Sequence, residues 1–286
     1  MTIIDRLYKR VEERGPICVG LDPAEDLYPP GFLKKFSSPA QAALAFSQEI
    51  VAATADLVAC YKVQIAHFEA LGVEGLQAYR DLLRWLRKEG LIVIGDVKRG
   101  DIASTAAHYA KAHFGGEFSA DFLTINALFG FDALTPFLSY LESGKHGFFV
   151  LVRTSNPTAS EFQDLLVDGR PFYEHVAERV ALWGEKFRGE CGYSLIGAVV
   201  GAHREVLARL RPRFPTLFFL VPGYGAQGGR ARDVAPAFRE GNGAVVVAAR
   251  AILGAHRGKP DSAERFPHYA REAVLAMRED LAQCLR

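Results

Sequence analysis

Cysteine is scarce in this chain and never clustered. Of the 286 residues only four are cysteines, Cys18, Cys60, Cys191 and Cys284, and no two of them form a Cys-x-x-Cys pair or a Cys/His cluster. Disulfides and a zinc site both need closely grouped or paired ligands. The sequence therefore predicts buried, reduced thiols.

Long apolar runs are missing as well, since no stretch approaches the roughly 18 residues that a membrane-spanning helix needs. The N-terminal residues MTIIDRLYKRVEERG mix charges of both signs and lack the apolar core of a secretory signal. They predict an amphipathic helix at about residues 2–13. We expect a soluble, cytoplasmic protein with no membrane partner.

The chain has no excess of either charge. Its 34 Lys and Arg against 33 Asp and Glu give a formal net charge of +1. This balance provides no global basic field for nucleic-acid binding, and no nucleic-acid partner is expected. The H-E-x-x-H, P-loop and G-x-S-x-G motifs are also absent.

What the chain does have is a regular alternation of short β-rich runs and longer amphipathic segments. The runs are at 16–21, 57–63, 91–97, 121–126, 147–153, 194–200, 216–221 and 244–248. The helical segments are at 39–55, 72–89, 102–113, 130–143, 171–190, 203–211, 229–240 and 262–285. Continuous apolarity predicts strands buried on both faces of a parallel sheet. Eight such units without a linker predict one α/β domain over 1–286, a (β/α)₈ TIM barrel, with a doubly wound open sheet as the alternative.

Polar residues gather where the predicted strands end, which is where barrels place their active sites. They are Asp22, Lys62, Gln64, Asp96, Lys98, Asn126, Arg153, Thr154, Ser155, Asn156 and Arg250. Residues two apart on a strand share a face, so Asp96 and Lys98 project the same way, as do Lys62 and Gln64. Two ammonium groups and a carboxylate are thus predicted to meet at the barrel mouth. Asp101 is predicted to begin the next helix as its N-cap.

A second group of residues suits an anion. The stretch PGYGAQGG (222–229) holds four glycines in eight residues, which lets backbone N–H groups approach a phosphate. Arg250 follows the last strand and can clamp phosphate oxygens. A flexible surface loop is the alternative for the glycine-rich stretch taken alone.

The segment DVKRGDI resembles the D-x-K-x-x-D motif of the orotidine 5′-monophosphate (OMP) decarboxylase family. Six blocks resemble that family in order: GLDP (20–23), YKVQIAHFE (61–69), DVKRGDIAST (96–105), VRTSNP (152–157), VPGYGAQGG (221–229) and VVVAARAIL (245–253). They most resemble its longer bacterial branch. One departure is Ala249, which stands where many relatives have glycine.

This resemblance implies a (β/α)₈ homodimer that converts OMP to UMP and CO₂ without a metal or organic cofactor. It implies that Lys98 is the proton donor to C6, within an array completed by Lys62, Asp96 and Asp101. Asp101 and Thr105 are implied to reach into the neighbouring subunit's site. The implied substrate-binding residues are Asp22 and Lys62 for the ribose, Thr154 and Ser155 for the pyrimidine, Gln227 and Arg250 for the phosphate, and in addition Gln64, Pro222 and Gly225.

Three alternatives stay open at this point. A Mg²⁺-dependent sugar-phosphate decarboxylase of the same superfamily would use a similar D-x-K-x-x-D array. A Schiff-base aldolase would use Lys62 or Lys98, although flanking carboxylates favour the charged lysine over the neutral nucleophile. A barrel that only binds a nucleotide is permitted by the fold.

Overall fold

Eight parallel strands close into a barrel in the computed structural model, which describes residues 1–225 and 228–285. The strands of the protein are β1 (Ile17–Leu21), β2 (Cys60–Gln64), β3 (Val93–Arg99), β4 (Phe122–Ile125), β5 (Gly147–Arg153), β6 (Leu166–Val167), β7 (Arg170–Pro171), β8 (Ile196–Val200), β9 (Phe219–Pro222) and β10 (Ala244–Ala248). Around the barrel the order is β1-β2-β3-β4-β5-β8-β9-β10, and β10 pairs in parallel with β1. Strands β6 and β7 form a separate short hairpin. The predicted barrel is confirmed, and the open-sheet alternative is wrong because both edge strands are paired.

Helices cover the outside of the barrel. They are α1 (Ile3–Arg14), α2 (Pro39–Thr54), α3 (Ala66–Glu69), α4 (Gly72–Lys88), α5 (Ala103–Ala110), α6 (Thr135–Leu141), α7 (Phe172–Gly184), α8 (Arg204–Arg213), α9 (Ala231–Val234), α10 (Arg250–Leu253) and α11 (Ser262–Cys284). A π-helical turn, Lys111–Gly115, extends α5, and 3₁₀ turns lie at Glu25–Leu27, Leu33–Lys35, Pro157–Glu161, Glu185–Phe187 and Ala235–Ala237. Among the described residues, no helix is long and apolar enough to cross a membrane.

Two predicted helices are much shorter than expected. The segment 130–143 becomes helical only at Thr135, after Gly130 at φ 85° and with a proline in the first turn. The segment 229–240 holds only α9 and a 3₁₀ turn, because Pro236 has no N–H to continue the helix.

The strands owe their continuous apolarity to burial on both faces. Every residue of β1, β4, β8 and β10 is buried between the barrel interior and the helices outside. The cysteines are all free, and Cys18 and Cys60 are buried in β1 and β2. The prediction of a buried thiol is wrong for Cys284, which is exposed at the end of α11, and Cys191 is only partly buried.

Helix α1 covers the amino-terminal end of the barrel. Its first N–H, that of Ile3, donates to the carbonyl of Gly144 just before β5, and the carbonyl of Tyr8 accepts from Asn242 just before β10. A capping box between Thr2 and Asp5 starts the helix. Helix α1 is thus held against the amino-terminal end of the barrel, and the cavity described below opens at the other end.

Candidate active site

A cavity of about 520 Å³ opens at the carboxyl ends of the barrel strands. Most of the predicted site residues line it: Asp22, Lys62, Gln64, Asp96, Lys98, Thr154, Ser155, Pro222 and Arg250. Asp101, Thr105 and Gly225 are not among the lining residues. Gln227 lies outside the described residues.

The carboxylate of Asp96, on β3, is the centre of this site. Its Oδ1 lies 2.6 Å from Nζ of Lys98 and accepts a hydrogen bond from Thr124 at 2.8 Å. Its Oδ2 lies 2.8 Å from Nζ of Lys62 and accepts from the Gln64 amide at 2.9 Å. Four donors thus fix both oxygens of one buried carboxylate. Such a carboxylate is held as an anion in one orientation.

The electrostatics follow from this pairing. Burial by itself raises the pKa of Asp96, but the ammonium groups of Lys62 and Lys98 outweigh it and hold that pKa well below its usual range. Burial likewise lowers the pKa of Lys62, but the carboxylates of Asp96 and Asp22 outweigh it and raise that pKa above its usual value. Nζ of Lys62 lies 3.3 Å from Oδ1 of Asp22. Two carboxylates within ion-pair distance favour the ammonium form of Lys62 over the neutral amine that a Schiff base needs.

Lys98 reaches Asp96 from an irregular backbone. The register between β3 and β4 shifts between Gly95 and Arg99, and Lys98 has φ 42°, in the left-handed region that a lysine rarely adopts. Alternation along a regular strand correctly predicted that the two side chains meet, but the strand is not regular there. Strain of this kind concentrates at functional sites. The Lys98 side chain remains 46% exposed and faces the open cavity.

The next residue, Arg99, anchors the strand end on the outside of the barrel. Its guanidinium donates to Glu69 at 3.0 Å and to His113 at 3.3 Å, and it lies 5.3 Å from the ring centroid of Tyr109. These partners belong to α3, the π-helical turn and α5. Residues before and after Lys98 in this irregular segment, Asp96 and Arg99, are thus both held by side-chain contacts.

The segment after β3 corrects one prediction. Helix α5 begins at Ala103 with Ile102 as its N-cap, so Asp101 is not the cap. Instead Oδ1 of Asp101 accepts the N–H of the next residue, Ile102, at 2.8 Å. Thr105 is exposed on α5. Neither Asp101 nor Thr105 reaches the cavity of its own chain.

On the opposite side of the mouth, β5 ends in polar residues with different orientations. Arg153 turns away from the cavity and forms a two-pronged ion pair with Asp164, at 2.7 and 2.9 Å. Thr154 and Ser155 line the cavity, and Gln163 accepts the N–H of Thr154 at 2.7 Å. Two neighbouring polar side chains are therefore presented to a ligand by a fixed backbone.

The predicted phosphate end combines the glycine-rich stretch with Arg250. Pro222 ends β9, and the N–H of Gly225 donates to the carbonyl of Gly229 at 2.9 Å. Asp280, on α11, accepts from both the hydroxyl of Tyr224 within the stretch and the N–H of Ala231 just after it, so it links the stretch to the start of α9.

Arg250 is the first residue of α10, directly after Ala249. A Cβ on Gly20 of β1 would lie 2.8 Å from Cβ of Ala249, so the methyl of Ala249 occupies space that a side chain at Gly20 would need. Gly20 on β1 and Ala249 directly after β10 are therefore coupled: alanine at 249 favours glycine at 20.

Several lining residues were missed by sequence reasoning. Thr124 has no charge and lies inside an apolar run, so only its register against β3 reveals its role. One side of the cavity is apolar, and the aliphatic side chains that line it come from four successive barrel strands: Leu151, Val199, Leu220 and Val247. Continuous apolarity hid these residues, because inward and outward positions look alike in such strands.

The fold and the site together define a (β/α)₈ barrel enzyme with an acid/base array at its mouth and an arginine in the cavity directly after the last strand. Among such barrels, the sequence model of the Orotidine 5'-phosphate decarboxylase / HUMPS family matches residues 15–266. The chain belongs to this family.

Individual members of this family are similar to the chain over nearly its whole length. An orotidine 5'-phosphate decarboxylase of Petrotoga mobilis is 48% identical over 282 residues, 98% of each chain. One of Clostridium perfringens is 45% identical over 285 residues, 99% of each chain. The solved structure of Leishmania donovani OMP decarboxylase superimposes with a TM-score of 0.80 at 31% identity, covering 100% of this chain and 99% of that one.

Proposed function

We propose that this protein decarboxylates OMP to UMP and CO₂, a step of pyrimidine nucleotide synthesis. The observation that carries the proposal is the position of Lys98. The Lys98 ammonium pairs with the carboxylate of Asp96, which three further donors hold in place. The Lys98 side chain nevertheless stays open to the cavity. A fixed cation at a reacting carbon is what this reaction needs, because CO₂ loss leaves an electron pair on C6 that the ring delocalises poorly.

The proposed step balances within the site. The bond from C6 to the carboxylate breaks, CO₂ leaves, and the electron pair stays on C6. The ammonium of Lys98 stabilises that pair and then donates a proton to it, and water reprotonates the amine. Asp96 is not the acid, since its pKa is held well below the usual range and it carries no proton to give.

The remaining lining residues suit the rest of the nucleotide. We assign the ribose hydroxyls to Asp22 and Lys62, and the pyrimidine amide edge to Thr154 and Ser155. Arg250 is assigned to the phosphate, with Pro222, Gly225 and Gln227 from the glycine-rich stretch. Gln64 orients Asp96, to which it donates at 2.9 Å. The apolar strands on the far side of the cavity offer a surface for the flat ring.

We further propose a homodimer in which Asp101 and Thr105 complete the partner's site. Two observations support this. Neither residue lines its own chain's cavity. Beside them, apolar side chains are exposed at Ile102, Leu128 and Phe129. The Phe129 ring lies against Gly100, where an added Cβ would be 3.3 Å from it, so this patch adjoins Asp101. An exposed apolar patch next to an incomplete site suits a second copy of the chain.

The Mg²⁺-dependent alternative is not favoured. Both oxygens of Asp96 already accept two donors each, so a metal would have to displace ammonium groups. In the part of the chain that the structure describes, no three His, Cys, Asp or Glu side chains are grouped to hold a metal ion.

An absorbance assay with OMP, with and without EDTA, tests the proposal. We expect robust turnover that EDTA leaves unchanged. Turnover of OMP that EDTA abolishes and Mg²⁺ restores would contradict the metal-free mechanism. No turnover in either condition, from folded protein, contradicts the proposed function.

A further inference from the structure

Thr124 makes hydrogen bonds that link the two central residues of the site. The side chain lies on β4 and is 1% exposed. Its Oγ1 accepts the backbone N–H of Val97 at 3.0 Å and that of Lys98 at 2.9 Å. The same oxygen lies 2.8 Å from Oδ1 of Asp96, to which it donates. One hydroxyl thus contacts both the backbone of the lysine and the carboxylate that pairs with it.

The direction of these hydrogen bonds is fixed by chemistry. Backbone N–H groups can only donate, so the two of them use the two lone pairs of the Thr124 oxygen. The single hydroxyl proton then has one acceptor, the Asp96 carboxylate. All the hydrogen-bonding capacity of Thr124 is consumed within the site, and none is left for a substrate.

The backbone that Thr124 holds is the irregular one. The β3–β4 register shifts between Gly95 and Arg99, and Lys98 lies at φ 42° inside that interval. Such a conformation persists only when surrounding contacts enforce it. The Thr124 hydroxyl supplies a hydrogen bond on the cavity side at this position, and it orients Oδ1 of Asp96, the atom that holds the lysine ammonium.

We propose that Thr124 is a positioning residue of the decarboxylase site, an inference that rests on the proposed function. Its hydroxyl fixes the Lys98 backbone and the Asp96 carboxylate together, and so sets where the proton-donating ammonium stands. It does not touch the substrate. Losing it therefore lowers the rate of the chemical step more than it weakens substrate binding.

Thr124→Val removes the hydroxyl and keeps the shape, whereas Thr124→Ser keeps the hydroxyl. Thr124→Val loses the hydrogen bond to the Asp96 carboxylate and the two that the hydroxyl accepts from the backbone. The loss of the one to the charged group predicts a kcat lower by on the order of 10- to 100-fold, with KM within about threefold. Thr124→Ser is expected to stay within about threefold of the wild type in kcat. Thr54→Val is the matched control, because Thr54 is equally buried and its hydroxyl donates to Ile50 on the outer helix α2.

The outcomes separate cleanly. A kcat loss in Thr124→Val that Thr124→Ser and Thr54→Val do not share supports the inference. Wild-type kcat in folded Thr124→Val overturns it, as does an equal loss in all three variants. If Thr124→Val does not fold, Thr124→Ala against Thr124→Ser repeats the comparison, since these two differ only in the hydroxyl.

A second readout does not depend on turnover, so failure of the proposed function and failure of this inference stay distinguishable. The Thr124 hydroxyl donates to the charged carboxylate of Asp96 in the folded protein. Thr124→Val should therefore lower the free energy of unfolding at about pH 7 by more in the wild-type background than in an Asp96→Asn background, where the acceptor is neutral. Thr54→Val should cost the same in both backgrounds. An equal cost of Thr124→Val in the two backgrounds contradicts a hydroxyl that acts on the Asp96 charge.

Discussion

The side chains of Lys98 and Asp96 form a 2.6 Å ion pair whose partners differ in exposure, 46% for the lysine and 7% for the aspartate. The buried partner is fixed by Lys62, Gln64 and Thr124, and the exposed partner faces the cavity. The pair therefore combines an ammonium that a substrate can reach with a counter-ion that cannot move. This is electrostatic preorganisation, in which the protein is already arranged for the charge that the reaction develops.

Removing the lysine should stop the reaction and leave the fold intact. Lys98→Ala takes away both the proton donor and the cation, so we expect turnover of OMP to fall by at least about 10⁴-fold. Asp96 keeps Lys62 as its buried partner, so the free energy of unfolding should change by only about 1 kcal/mol. Turnover and urea unfolding measure the two effects.

Lys9→Ala is the control for this variant, because Lys9 lies on α1 at the amino-terminal end of the barrel and is largely exposed. It should keep both wild-type activity and stability. Substantial turnover by Lys98→Ala would exclude the assigned role of the lysine.

Removing the negative charge of Asp96 should lower the free energy of unfolding by an amount that depends on pH. Asp96→Asn breaks a buried ion pair and leaves Lys62 poorly compensated, at a cost of about 3–5 kcal/mol near neutral pH. The pKa of Asp96 is lowered in the folded protein, so its contribution is present above the unfolded pKa of about 4 and is lost as the pH falls below that value. Urea unfolding should show the gap between wild type and Asp96→Asn narrowing from about pH 7 to about pH 3. A gap that stays constant over this range would mean that Asp96 is not an anion at neutral pH.

The sequence was sufficient for the barrel and for the charged half of the site, for physical reasons. Strands buried on both faces produce unbroken apolar runs, and charges at their ends need one another as partners, so Lys62, Asp96 and Lys98 could be identified together. Thr124 could not, since its part depends on a register shift between two strands that no local pattern encodes. The cap assigned to Asp101 failed for a related reason. Propensity marks where a helix can begin, but the irregular end of β3 delays the start of α5 to Ala103.

The contact between Gly20 and Ala249 predicts a compensating pair of substitutions. Gly20→Ala places a Cβ 2.8 Å from that of Ala249, which must push the end of β10 outward and move Arg250. We expect KM for OMP to rise by about tenfold with a smaller change in kcat. The double variant Gly20→Ala/Ala249→Gly removes the clash and should recover most of the wild-type KM, a non-additive result typical of residues in contact. Additive effects of the two substitutions would contradict this coupling.

Arg250 should act mainly on binding of the substrate phosphate. Arg250→Ala removes a charged hydrogen-bond donor, so we expect KM to rise by about 100-fold or more. Guanidinium ions added at millimolar concentration should restore part of the activity, because they can occupy the vacated position. Arg257→Ala is the matched control, since Arg257 is exposed and pairs with Asp26 outside the cavity. Equal KM values for Arg250→Ala and Arg257→Ala would contradict the assignment of Arg250 to the substrate phosphate.

The proposal that Asp101 contributes to the partner subunit's site can be tested without a structure of the dimer. Lys98→Ala and Asp101→Ala should each be nearly inactive alone. If Asp101 acts in the partner's site, a mixed dimer has one site that lacks both residues and one site that lacks neither. Random mixing of subunits gives mixed dimers in about half of the molecules, so about a quarter of the wild-type activity should return.

The control mixture is Lys98→Ala with Lys62→Ala. Both residues pair with Asp96 within one chain, so every site in that mixed dimer is defective and no activity should return. Recovery in the first mixture but not in the second requires Asp101 to serve the neighbouring site. If neither mixture recovers, although native mass spectrometry shows mixed dimers, Asp101 serves its own subunit. The β3–α5 segment would then have to move so that Asp101 reaches a cavity that it does not line in this structure.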